Sequence, residues 1–135
     1  MAKATGLGVT TLSVDDATNT QQAIKNDIND FKISTPMAVI DTTGVDKFAF
    51  ERLLGLADCS VTLDGTFNSA ANMSHAVFSS VAATRVARLM TLVVNAATFA
   101  PTLLFTDYGL TRASGGALTW QAPGVLSNGA APTWS

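Results

Sequence analysis

Residues 1–135 are the length of one domain, and no composition shift or repeat divides them. Charged residues make up 13% of the chain and apolar residues 47%, about half the usual ~25% charged share. Either the surface is sparingly solvated or other copies cover much of it. The net charge is −2 and the Lys and Arg residues are scattered singly, Arg85 with Arg88 being the nearest approach to a pair. That excludes the clustered cations that stable nucleic-acid binding requires.

In chain order, residues 1–8 are small and patternless and read as a flexible arm. They hold no apolar core long enough for a signal peptide. Val9 to Val14 can form a first strand, stopped by the turn-prone run Asp15 to Asn19. A longer extended region runs from Gln22 to Ile40. There Phe31 and Ile33 alternate with Asp30, Lys32 and Ser34, and Pro36 marks an edge, a bulge or a bend. A helix is expected next. Thr43 and Asp46 have the spacing of a capping box, Val45, Ala49 and Leu53 recur at helical spacing beside Phe48 and Leu54, and Gly55 stops the run. At about ten residues it must pack on a sheet to persist.

Cys59 to Asn68 alternates strictly. Cys59, Val61, Leu63 and Phe67 fall on one face, and Ser60, Thr62, Asp64, Thr66 and Asn68 on the other. This is the period of a strand with one dry and one wet face, which belongs to antiparallel sheets. A polar turn and a short helical piece, His75 to Ser80, follow. Further strands are expected near Val86 to Asn95, Thr102 to Arg112 and Ala117 to Ala122, with Trp120 alternating into the core. The last two are joined across the hairpin signal Ala113-Ser114-Gly115-Gly116. Leu89 to Phe105 looks superficially membrane-like, but Asn95 to Pro101 reads better as a link between strands. Residues 123–135 read as a second arm carrying Val125, Leu126 and Trp134, an aromatic that is costly to leave in water.

Candidate chemistry is sparse. His75 follows Ser74, but no nucleophile elbow accompanies them. Asp27-Ile28-Asn29-Asp30 offers oxygen ligands without the glycine and final glutamate of a calcium loop, and reads as a solvated strand start. Gly6-Leu7-Gly8 is too short for a phosphate fingerprint. Asn72-Met73-Ser74 matches a glycosylation acceptor without a secretion signal. Cys59 is the single cysteine, on the dry face of its strand, and reads as a buried thiol suited to a reducing cytoplasm. No paired carboxylates or zinc-ligand clusters occur. The expectation is a protein without catalytic, cofactor or metal residues, acting through its surfaces.

Several blocks, taken in order, resemble the major tail (tail tube) proteins of long non-contractile-tailed, siphovirus-type bacteriophages. They are Thr43-Gly44-Val45-Asp46, Glu51-Arg52-Leu53-Leu54-Gly55-Leu56-Ala57-Asp58, Val61-Thr62-Leu63-Asp64-Gly65-Thr66-Phe67-Asn68, His75-Ala76-Val77-Phe78 and the closing Gly129-Ala130-Ala131-Pro132-Thr133-Trp134. The resemblance implies a mainly β fold, an antiparallel β-sandwich or barrel with one short α-helix packed on it. It also implies stacked hexameric rings forming the conduit through which viral DNA leaves. Implied partners are further copies of the chain, a tape-measure protein and tail-tip or terminator proteins; DNA passes without stable binding, and no membrane is involved. Assembly in the host cytoplasm and residence in the virion follow. On this reading Ser60, Thr62, Asp64 and Thr66 are lumen-facing candidates, and Val125, Leu126 and Trp134 are candidates for docking on a neighbour. The alternatives are another tail or connector component, such as a terminator or decoration protein, a type VI secretion tube, or a β-sandwich ligand-binding module.

Overall fold

The computed structural model describes residues 8–135; the arm expected over residues 1–8 lies, apart from Gly8, outside them. The strands are β1 (Val9–Asp15), β2 (Gln21–Ala23), β3 (Ile28–Ser34), β4 (Met37–Asp41), β5 (Arg52–Ala57), β6 (Ser60–Thr66), β7 (Arg88–Val94), β8 (Ala97–Phe99), β9 (Thr102–Phe105), β10 (Gly109–Arg112) and β11 (Leu118–Leu126). Among the described residues the one α-helix, α1, spans Ser74–Phe78, and a 3-10 turn spans Lys25–Asp27. Among the described residues no helix is long and apolar enough to cross a membrane.

Nine strands form one antiparallel sheet in the order β2-β1-β7-β9-β11-β6-β3, with β8 beside β7 and β10 beside β11. The sheet folds over on itself. Leu12 and Val14 from one end and Val61 and Leu63 from the other bury in one core with Met90, Phe99, Leu103 and Trp120. β9 is the fold line, pairing β7 through Leu103 and β11 through Leu103 to Phe105. Pro123 would be a fault inside a paired strand, because it has no N–H to give. Its carbonyl accepts from Thr106, so its missing donor faces the gap where β9 gives way to β10. The defect falls where no ladder partner asks for it.

Helix α1 presses Val77 and Phe78 into the core, with Phe78 5.1 Å from both Phe105 and Trp120, centroid to centroid. Five residues cannot hold a helix alone, and distant polar groups hold this one. The Asp27 carboxylate accepts from the Ser74 N–H at 3.0 Å and from Asn68 Nδ2 at 2.9 Å. At the other end the Arg88 guanidinium donates to the Val77 carbonyl and to Ser80 Oγ. Both charges are buried, each satisfying a helix end that would otherwise be orphaned. Asp27 is therefore a buried helix cap and not a solvated strand start.

Two other expectations are overturned. The helix expected over Thr43 to Gly55 is absent. Arg52 to Ala57 extends instead as β5 and pairs with β4, and the Thr43 hydroxyl donates to Asp41 while accepting from the Glu51 N–H. Pairing with a strand wins because Gly44 and Gly55 weaken a helix that had no sheet to lie on. The arm expected from residue 123 begins only after Leu126, because Pro123 to Val125 pair with Thr62 to Ser60 as the end of β11.

Gly65 sets the tightest tolerance in the core. A Cβ there would stand 2.1 Å from the Asp27 carbonyl and 2.7 Å from the Trp120 ring, while the Trp120 N–H is tied to the Thr66 carbonyl at 3.0 Å. Gly65→Ala is expected to cost about 3 kcal/mol, the upper range for overpacking, lowering the melting temperature by roughly 10 °C. Calorimetry that found an unchanged melting temperature would contradict this packing.

Candidate assembly surfaces

The layer β10-β11-β6-β3 has one face in the core and one in solvent. Along β6 the buried residues Val61, Leu63 and Gly65 alternate with Ser60, Thr62, Asp64 and Thr66, which are exposed or half-buried on the other side. Register extends that polar face across the sheet. Ser34, Lys32 and Asp30 lie opposite Ser60, Thr62 and Asp64, while Gln121 and Thr119 lie opposite Asp64 and Thr66. Thr111 continues it opposite Thr119, and Asn29 donates to Thr66 Oγ1 at 2.9 Å. The four lumen candidates thus share one face, rich in hydroxyls and amides around Asp64 and Thr66 and bordered by Pro123 beside Thr62 and Val125 beside Ser60. Its charges, Asp30, Asp64 and Lys32, sum to −1. The contributions of β3 and β11 were missed in sequence, although the alternation Asp30-Phe31-Lys32-Ile33-Ser34 is the signal for the first.

The second surface is the β4–β5 hairpin, a two-stranded sheet of its own. It prolongs the β3–β6 ribbon past the bend at Pro36, whose carbonyl accepts from the Asp58 N–H at 2.8 Å. Of the thirteen large apolar side chains exposed among the described residues, nine lie here: Met37, Val39, Ile40, Val45, Phe48, Phe50, Leu53, Leu54 and Leu56. Val39 pairs with Leu54 and Ile40 with Leu53, and adjacent pairs point to opposite faces, so both faces are apolar. A lone hairpin is marginal in water, and clustered exposed apolar surface marks a contact site. At the tip Arg52 lies 4.4 Å over the Phe50 ring, and Lys47 pairs with Glu51 at 3.5 Å.

The arm candidates divide. Val125 and Leu126 are strand residues of β11, Val125 standing on the polar face opposite Ser60 and Leu104. Trp134 folds back on its own chain. Its ring stacks on buried Phe99 at 4.8 Å, and Ser135 exchanges two 2.9 Å backbone hydrogen bonds with Thr98. The indole remains 51% exposed.

The remaining candidates serve the fold. His75 Nδ1 lies 3.2 Å from the Tyr108 hydroxyl, and Ser74 Oγ is buried without a hydrogen-bond partner, so the two make no nucleophile–base pair. Asn29 and Asp27 bond to different neighbours, Thr66 on one side and Asn68 with Ser74 on the other. Burial, with the charge of Asp58 added, pushes the Cys59 thiol up. Arg88 is sealed in the core, which removes half of the Arg85–Arg88 pair from any phosphate's reach.

In sequence, no protein-family model and no curated protein matches the chain. In structure it superposes on a chain from the virion of a native gene transfer agent particle, with a TM-score of 0.77 at 12% identity, covering 98% of this chain and 99% of that one. A chain from the tail of an empty gene transfer agent particle, solved by helical refinement with C6 symmetry, matches with a TM-score of 0.72 at 13% identity over 98% of each. At such identities the likeness is one of fold. It is the mainly antiparallel fold with one short helix that the tail-tube resemblance implied.

The base of the hairpin's loop, where Asp41 and Arg52 end the two strands, has its own pH dependence. The Thr43 hydroxyl and then its N–H hold the Asp41 carboxyl below its ordinary value. A depressed folded-state value means that this contact stabilises above the ordinary carboxylate range and is lost as pH falls through the folded-state value. Acid is therefore expected to loosen this loop before the sandwich, and Thr43→Val to speed amide exchange at Glu51 several-fold at neutral pH while leaving the melting temperature in place. Unchanged exchange at Glu51 in that variant would show that the hydroxyl does not hold the loop.

Proposed function

We propose that this chain is the repeating subunit of a phage-type tail tube. Six copies close into a ring, rings stack into a hollow tube, and the tube carries viral DNA during ejection. The observation that carries the reading is the four-stranded layer β10-β11-β6-β3, buried on one side along β11 and β6, polar and weakly charged on the other, and ending in free edges. An isolated sheet with such edges is an aggregation hazard, and closure into a shared barrel removes it. Four strands from each of six copies make a barrel of about two dozen, well beyond the 16 to 18 that already leave an aqueous channel. The C6 symmetry of the gene transfer agent tail with this fold supports the ring size.

The core side of the layer is filled by its own sandwich, so the polar side faces the channel: Ser60, Thr62, Asp64 and Thr66 with Lys32, Asp30, Gln121 and Thr119. Its weak negative balance suits a conduit, since each phosphate neutralised by a wall cation strengthens binding to a cargo that must slide. The β4–β5 hairpin supplies the stacking contact. Its strands of five and six residues extend about 17 to 20 Å along the ribbon direction, with the loop of residues 42–51 beyond them reaching toward a subunit of the next ring. Head-to-tail contact of this kind is heterologous and open-ended, which makes a filament. The exposed indole of Trp134 is a further anchor for a neighbour. A tape-measure protein in the lumen and tip and terminator proteins at the ends complete the assembly, which forms in the host cytoplasm and resides in the virion. The subunit performs no catalysis.

Electron microscopy of the purified chain across a concentration series, with a tail-tip complex added where spontaneous growth is slow, tests the reading. Hollow tubes are expected from the unsubstituted chain, and Phe48→Ser with Phe50→Ser is expected to leave unstacked rings or monomers. A monomer at every concentration, with the tip complex present, would contradict it.

Lysine at Thr62 and Thr66 places twelve added cations in each six-membered ring. Such tubes are expected to assemble and to slow DNA ejection, with added salt relieving the delay. Ejection at the original rate from tubes proven to carry both lysines would remove the electrostatic argument for the channel wall.

A further inference from the structure

The two free backbone edges of the polar layer belong to β3 and β10. β6 and β11 lie between them and every pairing is antiparallel, so strand direction alternates through four strands. A rotation that sets a second copy alongside preserves this alternation and brings its β10 against β3 antiparallel, the more stable arrangement. An odd number of strands would have forced a parallel joint.

The side chains on the two edges match at Leu110, while Arg112, on the same side opposite Leu118, stays exposed. On β3, Phe31 and Ile33 point to the core side, opposite Leu63 and Val61. They form one wall of an apolar cleft of about 550 Å³ whose other walls include Leu92, Val94 and Trp134. The cleft is the open mouth of the sandwich, where the sheet ends before meeting itself. On β10, Leu110 points to the same side, opposite buried Trp120. It is nevertheless 48% exposed. Thr111 points the other way, opposite Thr119 on the polar face.

We propose that β3 of one copy pairs antiparallel with β10 of a second copy, and that Leu110 of the second copy seats in the cleft against Phe31 and Ile33. The period of a strand enforces this choice of register. A shift of one residue would put Leu110 into the polar face and Thr111 into the apolar cleft, whereas registers that set Leu110 beside Phe31 or Ile33 keep both faces continuous. The joint then carries ladder hydrogen bonds from two otherwise unsatisfied edges and one apolar plug for each mouth. The proposal rests on the ring reading above and identifies the surfaces that would close such a ring.

Cysteine pairs test it, Leu110→Cys with Ile33→Cys in one chain and Leu110→Cys with Phe31→Cys in another. Within a single copy these positions are three strand spacings apart sideways, about 14 Å, and further apart along the strands, since Leu110 is level with Ile28; that is too far for a disulfide, and the native Cys59 is buried. Mild oxidation of assembled tubes is expected to give a ladder of covalent oligomers rising to the ring size for one of the two pairs, absent from each single-cysteine chain. Leu110→Asp, at a half-exposed site, is expected to remain folded by circular dichroism and to lose ring formation at least tenfold in critical concentration. Tubes that assemble normally with Leu110→Asp, or that cross-link with neither pair, would overturn the joint while leaving the ring reading standing. Failure of the unsubstituted chain to assemble at all would overturn both.

Discussion

The two-residue period of β6 is the constraint on which the rest of this molecule depends. Val61, Leu63 and the closely packed Gly65 turn inward, and the residues between them turn out. Because β6 lies between β3 and β11, its register sets which side chains of both neighbours face water. The core side is then completed within the chain by Trp120, Phe78 and the folded-over strands β1 and β7. The other side stays polar and uncovered. One strand thus separates a surface that stabilises the fold from a polar surface left open to solvent.

The hairpin follows a different economy. A two-stranded ribbon has no layer to bury its side chains against, and both of its faces are apolar. The contacts among Asp41, Thr43 and Glu51 at the base of its loop hold its shape, but they cannot shield Phe48 or Leu56. The low charged fraction of the chain shows largely here and at the sandwich mouth, where apolar side chains stand exposed. Within the subunit, long-range polar ties perform the opposite task. Asp27 and Arg88 fasten the two ends of a helix too short to stand alone, so that Phe78 can fill the space over Trp120.

The parts of the fold legible in sequence are those governed by local period. The alternation from Cys59 to Thr66, the strand near Val9, the turn at Ala113 to Gly116 and the inward Trp120 needed no knowledge of distant partners. The hairpin was misread as a helix because Val45, Ala49 and Leu53 satisfy helical spacing, while the partner that makes β5 a strand lies beyond a loop, at Val39 and Ile40. The unbroken apolar pair Leu53-Leu54 followed by Leu56 was the contrary signal, since it populates both faces of a strand. Asp27 and Arg88 look like ordinary surface charges in sequence; their burial depends on contacts 47 and 11 residues away. Pro123 disguised the end of β11 because its missing donor is harmless only at the gap between β9 and β10. The common solvent side of Ser60, Thr62, Asp64 and Thr66 was legible through its period, whereas the apolar mouth exists only once β3 and β7 face one another.

The most direct test of the central claim, that the polar face of β6 lines a shared channel, is a helical reconstruction of assembled tubes at a resolution that traces side chains. The account predicts a continuous barrel in which Thr62, Asp64 and Lys32 project into the lumen. A tube whose channel is walled by the hairpins, or by β1 and β7 with β6 facing outward, would contradict it.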